Sequence, residues 1–159
     1  MYDSRPDTYT HIARVRELLN VCVVELLHRG ERHDQTKLES PELEAFDVMT
    51  PRLKTTVYGT DEYRATLREM KPAIQHHNEH NSHHPEHYPE GIAGMDLFDL
   101  LEMVCDWKAA GERHTDNAGI EHSIEINQQR FGYSDEVRSI LLNTVRRRPW
   151  LTMPRSDKT

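Results

Sequence analysis

The chain has 159 residues, with 20 Lys plus Arg against 27 Asp plus Glu, for a net charge of −7. That length suits one domain with a real core, and the acidic balance excludes binding to long nucleic acid by phosphate neutralisation. No stretch approaches the ~18 apolar residues of a membrane span, and MYDSRPDTYT lacks a signal-peptide pattern, so a cytoplasmic chain with Cys22 and Cys105 reduced is expected.

In chain order, the segments read as helices. From His11 to Leu27 the apolar residues Ile12, Val15, Leu18, Leu19, Cys22, Val23, Leu26 and Leu27 follow alternating 3 and 4 spacing, one face turned to a core. Ser40-Pro41-Glu42 opens a second helix with a cap, a first-turn proline and an early acid, and Pro51 should stop it. Gly59-Thr60-Asp61-Glu62 starts a third, whose stripe Tyr63, Leu67, Met70, Ile74, His77 is kinked at Pro72. Residues 82–94 read as loop. Met95–Ala110 is apolar nearly all round and so central. Ser123–Phe131 and a helix from the Ser134-Asp135-Glu136 cap to Arg147 complete an all-α, compact bundle of about six helices. One domain over 1–148 and a tail over 149–159 are expected.

Eleven histidines, six of them between His76 and His87, are the compositional oddity. His33-Asp34 within RHDQTK offers an imidazole nitrogen and a carboxylate oxygen, donors that suit Zn, Fe, Mn or Co. His11 shares the stripe of Val15, Leu18 and Cys22, and so faces inward. Asp106, on the apolar helix with Asp99 and Glu102, needs a partner because a buried lone charge costs several kcal/mol. His77 continues the buried stripe of the third helix, His76 is rotated off it, and His80 lies one turn on. Glu79, Glu86, Asp99 and Glu102 are candidates to hold the other ring nitrogens of metal-bound histidines. Trp107, Met70, Met95 and Met103 read as packing.

The ordered set resembles the HD-domain superfamily of metal-dependent phosphohydrolases, whose hallmark is H…HD…D on a helical bundle. His11 matches the first His, His33 and Asp34 the pair, Asp106 the final Asp, and Lys37 a lysine that often follows the pair. The run from His83 through GIAGMD to CDWKAA is similar to the double-His loop and Asp helix of cyclic-dinucleotide phosphodiesterases in that superfamily. The strings HDQTKLESPELEAF, YGTDEYR, HHNEHNSHHPEHYPEGI and LLEMVCDWKAA also resemble a small uncharacterised family of phages and bacteria, over roughly residues 8 to 145.

The superfamily resemblance implies one divalent transition metal (Mn, Co, Zn or Fe) on His11, His33, Asp34 and Asp106. His77 and His84 are then available for a second ion or for phosphate, with His80 and His83 as alternates. Asp34, Lys37 and Asp106 form the implied catalytic set, while Lys37, His80 and His83 contact substrate. Metal-activated water would attack a nucleotide or another small phosphate ester. A di-iron oxygenase of HD type and a non-enzymatic, metal-stabilised binding module are the competing readings. No membrane partner is expected, and a homo-oligomer, with Trp150 at a subunit contact, stays open.

Overall fold

A computed structural model describes residues 2–56, 60–112 and 119–148, the Lys54 side chain excepted. Gly59 at the expected start of the third helix, Trp150 and the tail expected over 149–159 lie outside those residues. The described residues form seven α-helices joined by turns, with no strand among them. Chain contacts divide the protein into two compact units, Met1–His33 and Asp34–Thr159.

The first unit is one helix, α1 (Arg5–Arg32), entered through Pro6 in its first turn and closed by His33 as its C-cap. The 3 and 4 spacing does form a helix, but none of its residues is buried. Ile12, Val15, Leu18, Leu19 and Leu27 are all exposed, as is His11, which corrects the expectation of an inward face. Helical periodicity decides which side chains share a face; it does not decide what covers that face.

In the second unit, α2 (Glu42–Thr55) runs on through Pro51 rather than stopping before it. Beyond the proline, Arg52 pairs with Glu69 at 2.6 Å and ties this last turn to the next helix. The single kinked helix expected over the third segment is instead two. These are α3 (Asp61–Glu69), capped by the Thr60 hydroxyl, and α4 (Lys71–His80), with Met70 shared between them. Pro72 sits in the first turn of α4, where its missing N–H costs nothing, so it begins a helix instead of bending one.

Helix α5 (Leu97–Gly111) starts two residues later than expected, because Asp96 and Asp99 form a reciprocal capping box that fixes its first turn. Helix α6 (Gly119–Phe131) starts before Ser123 and ends at Gly132, whose φ of +67° is the left-handed conformation a helix end uses. Helix α7 (Asp135–Arg146) is capped by the Ser134 hydroxyl as expected. The core lies among α5, α6 and α7, built from Met103, Val104, Ile124, Leu141, Leu142 and Val145 with their neighbours. Each such side chain contributes roughly 1.5–3 kcal/mol by burial. Trp107 stacks parallel on Phe131 at the edge of this core, the packing role expected of it. Helices α2, α3 and α4 form a second layer around Met70 and Ala73, and residues 81–96 join the two sets.

Candidate metal centre

Asp34 opens the second unit with φ 59° and ψ 14°, a left-handed conformation that a short acidic side chain tolerates. A single 3-10 turn, Gln35–Leu38, follows and brings Lys37 back onto Asp34, Nζ to Oδ2 at 2.6 Å. The same turn carries Thr36 towards α2 and α4. There, Glu42 is fully buried, with 0% exposure, and its carboxylate is shared among three partners. Oε1 is 2.8 Å from His76 Nδ1; Oε2 is 2.9 Å from His77 Nδ1 and accepts from the Thr36 hydroxyl at 3.1 Å. Asn81 Nδ2 donates to Thr36 Oγ1 and to the His77 carbonyl, closing the network.

A carboxylate oxygen only accepts, so His77 must carry a proton on Nδ1, which leaves the lone pair of the neutral ring on Nε2. His77 Nε2 lies 3.1 Å from Asp34 Oδ1. His83 is held in the same way: Nδ1 faces Glu102 Oε1 at 3.2 Å, and Nε2 is 3.6 Å from the same Asp34 oxygen. His84 completes the set, its ring centroid 4.8 Å from that of His77 and 4.2 Å from that of His83. One donor atom from each of Asp34, His77, His83 and His84 lies within 4.8 Å of all the others. The Nε2 atoms of His77 and His84 are buried with no hydrogen-bond partner. Buried lone pairs are seldom left unsatisfied, and a cation answers both at once. Desolvation, reinforced by the rings of His83 and His77 and opposed by the Asp106 carboxylate, lowers His84 to about 3, so this ring stays in the neutral form that binds metal.

Ligand atoms on a tetrahedral ion with bonds of ~2.0–2.1 Å stand about 3.3 Å apart, which the separations of 3.1 and 3.6 Å about Asp34 bracket. Both Glu42–His77 and Glu102–His83 have the carboxylate–histidine arrangement that fixes the tautomer and orientation of a metal-bound ring. The residues therefore fit a metal ion. Asp106, half-buried on α5, has a carboxylate oxygen within 4.8 Å of one of Asp34.

Of the residues singled out in the sequence, Asp34, His77 and His84 are brought together, with Asp106 beside Asp34. His83 joins the ligand cluster instead of a substrate surface. His80 does not: it is exposed, and its Nδ1 donates to the His76 carbonyl at 2.7 Å. His11 is exposed on α1 and has no place in any metal-ligating group among the described residues. His33 is half-buried at the end of α1, bonded directly to Asp34. Among the supporting acids expected, only Glu102 holds a ligand ring. Glu79 accepts from Gln75, Glu86 pairs with Arg130, and Asp99 organises a loop. Glu42 carries no sequence signal for this role, because an acid in the first turn of a helix is explained by the helix dipole alone.

The loop bearing His83 and His84 is anchored on Asp99, which is 2% exposed. Its Oδ1 accepts from Ser82 Oγ at 2.7 Å; Oδ2 accepts from the Tyr88 hydroxyl at 2.7 Å and from the Asp96 amide at 3.0 Å. Burial and the bond to Asp99 push the Tyr88 phenol up to about 12, so it remains a donor at any physiological pH. Asp99→Ala should lower stability by about 3 kcal/mol or more, since several charge-assisted hydrogen bonds are lost together. It should also weaken metal binding, though Asp99 is no ligand. Thermal melts and metal titration of the folded variant check both effects.

Over residues 1–147 the chain matches a protein family of unknown function, DUF5662. No curated protein and no solved structure matches it. The chain belongs to the DUF5662 family.

Proposed function

We propose that this protein is a metal-dependent phosphohydrolase, acting on a nucleotide or another small phosphate ester at the Asp34–His77–His83–His84 centre. The observation that carries the reading is the convergence of those four donors, two of them oriented by the buried Glu42 and the half-buried Glu102. Three imidazoles with one carboxylate suit Fe, Co or Zn better than the all-oxygen sites of Mg or Ca. A bound ion would lower the pKa of a water molecule and offset charge on a phosphoryl group. The resemblance of His33-Asp34, the later histidines and Asp106 to the HD-domain pattern supports the same chemistry.

The chain's own residues supply the rest. His77 and His83 are 3% and 2% exposed and form the dry wall. The side chains of Asp34 and Lys37, 22% and 33% exposed, form the wet one. Substrate and water would meet the centre from that side, where Lys37 places a positive charge for a phosphate oxygen. Lys37 also fixes Asp34 by holding Oδ2, which leaves Oδ1 to face the rings.

A structural zinc site is the second reading, favoured by one observation: four protein donors fill a tetrahedral ion and leave no position open. A six-coordinate ion on the same donors keeps two. Metal analysis of protein purified without a histidine tag should find about one or two ions per chain. With Mn, Co, Fe or Zn restored after chelation, a panel of deoxynucleotides, ribonucleotides and cyclic nucleotides should release phosphate or open a phosphodiester, and Asp106→Ala should abolish this turnover. A single tightly held zinc with four protein ligands and no turnover on the panel would establish the structural reading.

A further inference from the structure

We propose that His76 and His80 form a second, separate binding site for a divalent transition metal, on the surface of α4. Four residues apart on one helix, they share a face. Their rings stack with centroids 4.0 Å apart and planes inclined by 17°. Both rings are fixed through Nδ1. That of His76 lies 2.8 Å from Glu42 Oε1, and that of His80 lies 2.7 Å from the His76 carbonyl oxygen. Each partner can only accept, so each Nδ1 carries the proton and each Nε2 carries the lone pair.

Two neighbouring imidazoles on one helix face thus each keep a lone pair on Nε2, each ring supported by the carboxylate or carbonyl contact that metal-bound histidines characteristically make. Stacking alone would require neither nitrogen to be held. Cis ligands on an ion with bonds of ~2.0–2.1 Å lie about 3 Å apart with their lone pairs converging, so the two rings must open out of their stack to close the chelate, and the i, i+4 spacing keeps both within reach of one ion. Cu2+, Ni2+ and Zn2+ are the ions that imidazole pairs of this kind select, with Cu2+ bound most strongly. His80 is exposed and His76 partly so, and water would complete the coordination. The outer ion is therefore held more weakly than the buried one.

Glu42 joins the two places, with one oxygen on His76 and the other on His77. An ion taken from solvent at the outer pair sits one carboxylate away from the buried ligands. The outer site does not depend on the hydrolase reading, since it needs only the geometry of α4 and Glu42.

The test is a Cu2+ titration of the metal-free full chain, followed by calorimetry and electron paramagnetic resonance. Wild type should take up a tight ion and then a weaker one with two-nitrogen coupling. His80→Ala should lose the weaker ion and keep the tight one. This exposed position on the last turn of α4 accepts alanine readily, because alanine is the stronger helix former. His84→Ala should do the reverse, so a failure of the buried centre registers separately. His122→Ala, an exposed histidine on α6, should change neither. A His80→Ala protein that matches wild type in the number and strength of ions bound overturns the proposal. So does loss of the weaker ion through His122→Ala, or loss of both through His84→Ala.

Discussion

Asp34→Asn should reduce metal affinity by about 100-fold or more and abolish any hydrolysis, while the circular dichroism of the protein stays unchanged. The lower bound follows from loss of an acid that merely supports a ligand, which costs roughly 10–100-fold; loss of a charged ligand should exceed that. Asparagine is the informative replacement because Asp34 has φ 59°, and Asn is among the few residues that occupy this region at low cost. Alanine there would add backbone strain and confuse folding with binding. The amide keeps the shape of the carboxylate but removes the only formal negative charge among the four donors. It also breaks the ion pair with Lys37, leaving that ammonium without its 2.6 Å partner. Calorimetric titration with Zn2+ or Co2+ measures the first effect and phosphate release the second. Metal affinity equal to wild type would remove Asp34 from the ligand set.

Much of the centre was legible because its residues break a pattern that the sequence otherwise keeps. His77 continues a stripe of apolar side chains, so its burial could be expected, and it is 3% exposed. Asp106 stands on a helix with few polar residues, and His33-Asp34 lies just beyond a long helix. What local pattern could not supply was the choice among adjacent histidines. His83 and His84 both reach the cluster, because the backbone turns there, with the His84 amide bonded to the Asn81 carbonyl at 3.0 Å. His80, one helical turn beyond His77, is exposed at the last residue of α4. His11 differs from its expected place for another reason. The spacing around it does form a helix, but amphipathic spacing carries no information about whether anything covers the apolar side. Pro51 and Pro72 show the same limit: the first is tolerated inside α2 and the second begins α4, and position within the turn decides between them.

Glu42 is the residue the sequence hid most completely, and its removal should have the largest structural effect. Glu42→Ala would strip the acceptor from His76 Nδ1, His77 Nδ1 and the Thr36 hydroxyl together, inside a region where the carboxylate itself has 0% exposure. Breaking a buried, hydrogen-bonded charge network typically costs about 3–5 kcal/mol, a large share of the stability of a small domain. Glu42→Gln separates that cost from the metal function. The amide oxygen can still accept from one ring, but the amide nitrogen then confronts the N–H of the other. If the oxygen stays with His76, His77 is driven to the other tautomer, which places a proton on the Nε2 that a cation needs. The Gln variant should therefore fold and yet bind metal roughly 10–100-fold more weakly. At fixed metal concentration, a 100-fold loss of affinity removes up to about 2.7 kcal/mol of metal-linked stabilisation. The rise in Tm on adding metal should shrink for Glu42→Gln, while its metal-free Tm falls less than that of Glu42→Ala. Identical metal-induced shifts in wild type and Glu42→Gln would mean that Glu42 only holds α2 against α4. Its contact with His77 would then be structural.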